Sequence, residues 1–193
     1  MRTDAKVGRR PVTKSYANEM VFHNSAHKRM TFDEMFTEML AFVRREPIYS
    51  YQLIIGTDSQ VTDVTLFQTG VVLRRWDEHG GVGRGAFGCL RTYVEPRRIT
   101  SLREKISMET SLSEEVACLF TADRISQIVD ILLPYVDQGS NFKKNTIHLD
   151  IGEFGATREL IKEMTARIRS LGFEAEIKPE SYVASGYANR HTK

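Results

Sequence analysis

Residues 51–57 read Tyr-Gln-Leu-Ile-Ile-Gly-Thr, and Asp58 follows them directly. The apolar content of this run and its polar end predict a short β-strand that stops at an acidic residue. Two more runs, over residues 64–75 and 86–94, are rich in residues that favour strands. A glycine-rich segment, residues 79–85, separates them and is typical of a turn. Three strands joined by short connections favour an antiparallel meander.

Helices are predicted on both sides of this meander. Thr31 and Glu34 form a capping box, apolar residues recur at helical spacing, and Pro47 follows, so a helix should run from Thr31 to near Arg45. Beyond residue 96 the pattern predicts helices over 101–120, 125–136 and 157–171, strands over 146–150 and 173–177, and a short final helix over 181–191. This order predicts one α/β domain over residues 31–193, with a mixed five-stranded sheet flanked by helices and one added N-terminal helix.

The composition sets the broad class of the protein. The chain has 193 residues, 41% of them hydrophobic, and a formal net charge of +2. Cys89 and Cys118 are far apart in sequence, which argues against a cysteine zinc site or a disulfide framework and favours a reducing, cytoplasmic location. No apolar run approaches the roughly 20 residues that cross a bilayer. Residues 1–30 are polar and basic, and we expect a flexible arm that is either a solubilising tail or an electrostatic contact arm.

Three acidic residues stand where the predicted fold would bring them together. Asp58 and Asp150 each end a predicted strand, and a turn-forming role is the alternative for both. Glu109 lies three residues after Ile106 and three before Leu112, in the middle of the apolar stripe of its helix. A carboxylate at such a position is costly to bury unless it is paired, hydrogen-bonded or bound to a metal. A buried ion pair with an arginine is the alternative for Glu109.

Three neighbouring polar residues are expected to play no direct part. Glu114 is expected on the polar side of the helix that carries Glu109, and Glu115 at the edge of its apolar stripe, so that both should be solvated. His148 shares a strand face with Asp150 and is expected to pack beside the site rather than bind a metal.

Carboxylate oxygens are hard ligands that suit Mg²⁺ or Mn²⁺ better than zinc. Two such ions about 4 Å apart can activate a water and stabilise the leaving oxygen during phosphodiester cleavage. Asp58, Glu109 and Asp150 are therefore the candidate metal ligands and catalytic residues.

Four segments resemble the YkuK-type ribonuclease H-like family of bacteria. They are residues 54–60 (IIGTDSQ), 96–109 (PRRITSLREKISME), 147–152 (IHLDIG) and 178–193 (KPESYVASGYANRHTK). The resemblance extends from about Phe22 to the C-terminus and implies a ribonuclease H-like fold with a metal-dependent nuclease centre. It also matches Asp58 to the first-strand acid of such enzymes, Glu109 to the helix acid and Asp150 to the fourth-strand acid.

The C-terminal segment departs from the pattern of these enzymes. Many of them carry a fourth acid near the C-terminus, whereas residues 186–193 contain no Asp or Glu. Asn189 or His191 would have to replace it, and both are weaker partners for a hard cation than a carboxylate is. His191 is also a candidate proton shuttle, because histidine titrates near neutral pH.

Arginines interleaved with aromatic residues suggest a nucleic-acid contact surface, with a mixed solvated surface as the alternative. The candidate contacts are Arg84, Arg97, Arg98, Arg103 and Arg190. The leading hypothesis is a Mg²⁺- or Mn²⁺-dependent nuclease acting on RNA or structured nucleic acid. The second is a binding module for RNA or a ribonucleoprotein on the same fold, with weak or no catalysis.

Overall fold

The computed structural model describes residues 20–151 and 158–178, together with positions 181 and 186. Its strands are β1 Ser50–Val61, β2 Thr65–Trp76, β3 Gly83–Glu95, β4 Asn141–His148 and β5 Glu174–Glu176. Its helices are α1 Phe32–Arg45, α2 Leu102–Ala117, α3 Ala122–Leu132 and α4 Arg158–Ser170, and a 3-10 helix, Leu133–Gln138, continues α3. The predicted order of elements is therefore confirmed over the described residues.

The five strands form one mixed sheet in the order β3-β2-β1-β4-β5. The meander β1-β2-β3 is antiparallel, and β4 and β5 add to β1 in parallel. Parallel strands need a crossover, and α2, α3 and α4 supply the crossovers here. This arrangement confirms the expected ribonuclease H-like α/β fold, including the added N-terminal helix α1.

One face of the sheet carries the main core. Alternate β1 residues such as Leu53 and Ile55 point to this face and pack with Val71 and Leu73 of β2. Side chains from all four helices complete the same cluster. Helix α1 begins with the predicted capping box, in which the Thr31 side chain accepts from the Glu34 amide and Glu34 accepts from the Thr31 amide.

Several element boundaries differ from the predictions. Helix α2 ends at Ala117 rather than at residue 120, and the next helix begins at Ala122 and becomes a 3-10 helix around Pro134. Strand β4 covers Asn141–His148 instead of 146–150, so Asp150 lies just beyond the strand. Of the final helix predicted over 181–191, the structure describes only residues 181 and 186.

Residues 20–30 also differ from the expectation of a flexible arm over residues 1–30. Phe22 pairs with Met30 and His23 pairs with Leu90 of β3, so this segment lies along the outer edge of the sheet. Phe22 is fully buried and Met30 is 4% exposed. Both side chains belong to the main core, so residues 20–30 are packed against the domain. Residues 1–19 lie outside the described part of the chain. In the described residues, no helix has the length and apolar content to span a membrane.

Candidate functional site

Asp58 lies near the end of the central strand β1. It is half-buried, and the backbone N–H of Ser59 donates to its Oδ1 at 2.9 Å. Burial raises the pKa of Asp58 above its usual range, and the charge of Asp150 raises it further. The Ser59 amide and two positive side chains, Lys105 and Lys178, act in the opposite direction but do not cancel the effect of burial. Asp58 is thus a partly desolvated acid with a second acid near it.

Glu109 projects from the middle of α2 and is only 6% exposed. Its Oε1 accepts a hydrogen bond from the Ser59 hydroxyl at 2.7 Å, which ties the helix to the end of β1. Burial raises the pKa of Glu109 to about 7, and the charges of Asp58 and Asp150 add to that rise. The predicted placement of Glu109 on the core-facing stripe is therefore seen, and its hydrogen-bond partner is a serine rather than an arginine.

Asp150 follows the end of β4 by two residues. Strand β4 runs parallel to β1 with Gly56 opposite His148, and continuing that register by two residues places Asp150 level with Asp58. The Lys178 Nζ lies 2.5 Å from Asp150 Oδ1 and forms an ion pair with it. The Lys178 backbone N–H also donates to the Ile151 carbonyl at 3.1 Å, which holds this residue beside the end of β4.

The three carboxylates share one end of the sheet and influence one another electrostatically. Asp150 raises the pKa of Asp58, and both raise the pKa of Glu109. Lys178 is sensitive to all three: its contact with Asp150 raises its pKa most, and the charges of Asp58 and Glu109 add to this. Lys178 is thus a cation that lies among the three acids and forms an ion pair with one of them, Asp150.

The donor chemistry of these residues fits a hard divalent cation, but the side chains are not arranged as a closed ligand set. Across residues 20–151 and 158–178, no three side chains of His, Cys, Asp or Glu approach closely enough to hold one metal ion. The carboxylate oxygens of Asp58, Glu109 and Asp150 are the ligand type that Mg²⁺ and Mn²⁺ prefer. Binding a metal there would require Asp150 to exchange Lys178 for the metal.

A hydroxyl network behind Glu109 was not anticipated from the sequence. The Ser113 hydroxyl donates to the Glu109 carbonyl at 2.9 Å and lies 2.8 Å from Thr57 Oγ1, which in turn lies 2.9 Å from Thr69 Oγ1. Thr57 and Ser59 point to the same face of β1 because side chains alternate along a strand. That alternation was the available signal that both would face the helix carrying Glu109.

His148 packs beside the site, as its position in the sequence suggested. It is 4% exposed, and its Nε2 lies 2.9 Å from Glu176 Oε2. Burial lowers the pKa of His148 to about 4, and the nearby Arg74 guanidinium lowers it as well. These effects outweigh the attraction of Glu176, so the imidazole is neutral near pH 7.

Glu114 differs from the expectation that it would be solvated. It is 7% exposed and forms an ion pair with Arg167 of α4, whose guanidinium also donates to Ser111 Oγ at 3.1 Å. The polar side of α2 is covered there because α4 packs across it, an arrangement that depends on the order of the strands. Glu115 lies at the surface, where it pairs with Arg91 at 3.0 Å.

The arginines proposed to contact nucleic acid do not form one surface. Arg84 lies in the β2–β3 hairpin near Asp77, at the end of the sheet opposite Asp58. Eight β1 residues separate Asp58 from that end, or roughly 26 Å at about 3.3 Å per residue. Arg84 is therefore remote from the three acids.

The other candidate arginines lie near the start of α2. Arg97 is held between Glu95 at 3.1 Å and Glu104 at 2.5 Å, and Arg103 pairs with Glu163 at 2.6 Å. Arg98 is exposed and lines a cavity beside the first turn of α2. Three further candidates, Asn189, Arg190 and His191, lie outside the described residues.

Comparison with known proteins supports the same family as the sequence motifs. The family model described as Ribonuclease H-like matches residues 34–193. The protein named "Uncharacterized protein YkuK" from Bacillus subtilis (strain 168) is 46% identical over 178 residues, which cover 92% of this chain and 99% of that protein. No solved structure gives a significant match. The resemblance noted in the sequence is thereby confirmed.

Proposed function

The chain belongs to the ribonuclease H-like family, and on that premise we propose that it is a metal-dependent nuclease that hydrolyses phosphodiester bonds in RNA or structured nucleic acid. The observation that carries the proposal is Glu109. Its carboxylate is 6% exposed, has no arginine partner within residues 20–151 and 158–178, and is influenced electrostatically by Asp58 and Asp150. A purely structural role would favour neutralising such a group or replacing it with an apolar residue.

Asp58, Glu109 and Asp150 would hold Mg²⁺ or Mn²⁺ through their carboxylate oxygens. When bound, the cation would supply an activated water and stabilise the leaving oxygen of the phosphodiester. The Ser59 hydroxyl orients the Glu109 carboxylate, and the buried surroundings of Glu109 keep competing water away from it. Because burial raises the pKa of Glu109 to about 7, this carboxyl must release its proton when it becomes a ligand.

A second candidate function is nucleic-acid binding without cleavage. The Lys178–Asp150 ion pair favours it, because a tethered ammonium neutralises one of the three acids without any metal. In this alternative the same end of the sheet binds RNA or a ribonucleoprotein through basic residues, and the acids have a structural role.

Cleavage assays separate the two functions. Wild-type protein is incubated with labelled RNA, single-stranded DNA and duplex substrates, with Mn²⁺, with Mg²⁺ or with EDTA. We expect metal-dependent cleavage by the wild type and on the order of a thousandfold less by Asp58→Asn, because a lost metal ligand removes several kcal/mol of transition-state stabilisation.

Glu115→Gln is the matched control, since it removes an exposed acid on α2 that pairs with Arg91. We expect it to cleave at the wild-type rate. A wild type that binds these substrates but cleaves none of them with either metal would contradict the nuclease proposal and support the binding module. Equal cleavage by wild type and Asp58→Asn would show that the assigned acids are not the catalytic centre.

A further inference from the structure

A cavity of about 380 Å³ opens beside the first turn of α2. Its lining includes Val61 of β1, Arg98, Ile99 and Lys105. Val61 is three residues beyond Asp58, or roughly 10 Å along the strand. Lys105 is four residues before Glu109, or about 6 Å along the helix axis. The cavity therefore lies at the same end of the sheet as the three acids, and its lining reaches to within roughly 10 Å of Asp58 and Glu109 along β1 and α2.

The two basic residues of this cavity differ from the other basic residues near it. Arg97 is neutralised by Glu95 and Glu104, and Arg103 by Glu163. Within the described ranges, no carboxylate lies within ion-pair distance of Arg98 or Lys105. These two side chains carry positive charge that surface acids do not satisfy, so they remain available to an anionic ligand.

Lys105 connects the cavity electrostatically to the acids. Its ammonium lowers the pKa of both Asp58 and Glu109, although burial outweighs that effect at both residues. Arg98 has no such link and lines the same cavity. Lys105 and Arg98 thus place positive charge near the three acids. A nucleic-acid strand with one phosphate at the acids would carry a neighbouring phosphate that these two side chains could bind.

We propose that Lys105 and Arg98 form a phosphate subsite for the nucleic-acid strand whose scissile phosphodiester lies at the three acids. The proposal rests on the proposed function for the position of the scissile bond. The subsite lies within roughly 10 Å of Asp58 and Glu109 along β1 and α2, so it would bind a phosphate close to the scissile one on the same strand. Phosphate contacts position a strand without reading its bases, so the subsite would set register and not sequence.

Binding to a short labelled single-stranded RNA in EDTA tests the subsite without any cleavage. Affinity is measured over a range of salt concentrations for wild type, Arg98→Gln, Lys105→Gln and the double variant. Each single change should reduce the slope of log affinity against log salt by about 0.7, and the double change by about 1.4, because each cation releases counterions from one phosphate. Lys105→Arg should keep the wild-type slope, since it keeps the charge.

Arg169→Gln is the control. Arg169 is exposed in the last turn of α4, a helix that leads away from the acid end of the sheet, and removing it makes the same change in net charge. It should bind as the wild type does. A double variant that matches Arg169→Gln in slope and affinity would overturn the subsite. So would an effect of Lys105→Gln without one of Arg98→Gln, or a wild type that shows no RNA binding.

The outcomes for the subsite and for the nuclease are distinguishable. If the slopes change as expected but Mn²⁺ produces no cleavage, the subsite stands and the nuclease proposal fails. If the wild type cleaves and the slopes do not change, the nuclease proposal stands and the subsite fails. If Lys105→Gln proves unstable because it lies near Glu109, Arg98→Gln alone decides, since Arg98 is exposed and contacts none of the acids. The same binding measurement with single-stranded DNA of equal sequence shows whether the affinity at the subsite depends on the 2′-hydroxyl of the sugar.

Discussion

Helix α2 buries two glutamates five residues apart, and their surroundings differ in the group that faces each carboxylate. Glu114 is 7% exposed and pairs with Arg167 of the neighbouring helix. Glu109 is 6% exposed, and its described hydrogen-bond partner is the neutral hydroxyl of Ser59. The two carboxylates are almost equally buried. The charge of Glu114 is balanced by Arg167, whereas burial raises the pKa of Glu109, so that its carboxyl keeps its proton to a higher pH. The arginine that neutralises Glu114 has no counterpart in the described contacts of Glu109, and this difference makes Glu109, rather than Glu114, the candidate for function.

The largest expected difference between Glu109 and Glu114 is in their effect on catalysis. Glu109→Gln should reduce metal-dependent cleavage on the order of a thousandfold, because it removes a proposed ligand. Glu114→Gln should retain cleavage when both are assayed well below their melting temperatures, because Glu114 neutralises Arg167 and not a metal. Rates of cleavage of one labelled substrate with Mn²⁺ measure the difference. If both variants fold normally and both lose activity, Glu114 also contributes to cleavage and the assigned difference between the two glutamates is wrong.

The second difference is in the pH dependence of stability without metal. The pKa of Glu109 is about 7 when folded and near its ordinary 4.5 when unfolded, so the folded state binds more protons in between. Its contribution therefore lowers the free energy of unfolding as pH rises from about 4.5 through 7, by an upper limit on the order of 3 kcal/mol. His148, whose pKa is lowered to about 4, acts in the opposite direction between pH 4 and 6.5.

Comparing wild type with Glu109→Gln isolates the contribution of Glu109 from that of His148. Urea unfolding in EDTA at pH 5 and pH 8 should show that Glu109→Gln is more stable relative to wild type at pH 8 than at pH 5. An unchanged difference between the two proteins across this range would mean that Glu109 is ionised throughout, and the contrast with Glu114 would then be lost.

The third difference is in stability at one pH, where Glu114→Gln should lower the free energy of unfolding, in contrast to the relative gain expected for Glu109→Gln at pH 8. Glu114→Gln should destabilise the protein by about 2 kcal/mol at pH 8, because it leaves Arg167 without its partner in a partly buried contact. The value lies below the range for fully buried pairs because the Arg167 side chain is 41% exposed. Urea unfolding in EDTA measures it, with Glu115→Gln as the surface control. A stabilised Glu114→Gln variant would contradict the assigned role of the ion pair.

The smallest predicted effect concerns the lysine beside Asp150. Lys178→Met should strengthen Mn²⁺ binding by roughly fivefold, because it removes a competing cation from a half-exposed ion pair worth about 1 kcal/mol. Calorimetric titration with Mn²⁺ measures the change, and Lys162→Met, at an exposed position of α4, is the control. Weaker Mn²⁺ binding by Lys178→Met would indicate that Lys178 supports the acids instead of competing for them.

The sequence predicted the order of elements because hydrophobic periodicity reports which face of each element is buried. It missed the first half of β4 for a physical reason. Residues 141–145 are mostly polar, with Phe142 as their one apolar residue, so they lack the apolar run by which a strand is recognised in a sequence. Pairing with β1 makes them part of the strand. The three acids were identifiable because two end apolar runs and one interrupts an apolar stripe.

The partners of those acids were not predictable in the same way. Arg167 covers Glu114 and Lys178 reaches Asp150 only because α4 and β5 follow β4 in the folded sheet. Likewise, Lys105 and Arg98 differ from Arg97 and Arg103 only in the carboxylates that the fold places near each one. Local sequence shows which residues are charged, whereas tertiary packing decides which charges are neutralised.

The central claim is that Glu109, and not Glu114, belongs to a divalent-metal site. Its most direct test is the melting temperature of wild type, Glu109→Gln and Glu114→Gln at pH 8, with and without saturating Mn²⁺. A metal that binds the folded state at about 100 times its Kd adds about 2.7 kcal/mol, or roughly 5–10 °C for a chain of this size. We predict that shift for wild type and Glu114→Gln and most of it lost in Glu109→Gln. An unmoved wild-type melting temperature, or an equal shift in all three proteins, would contradict the claim.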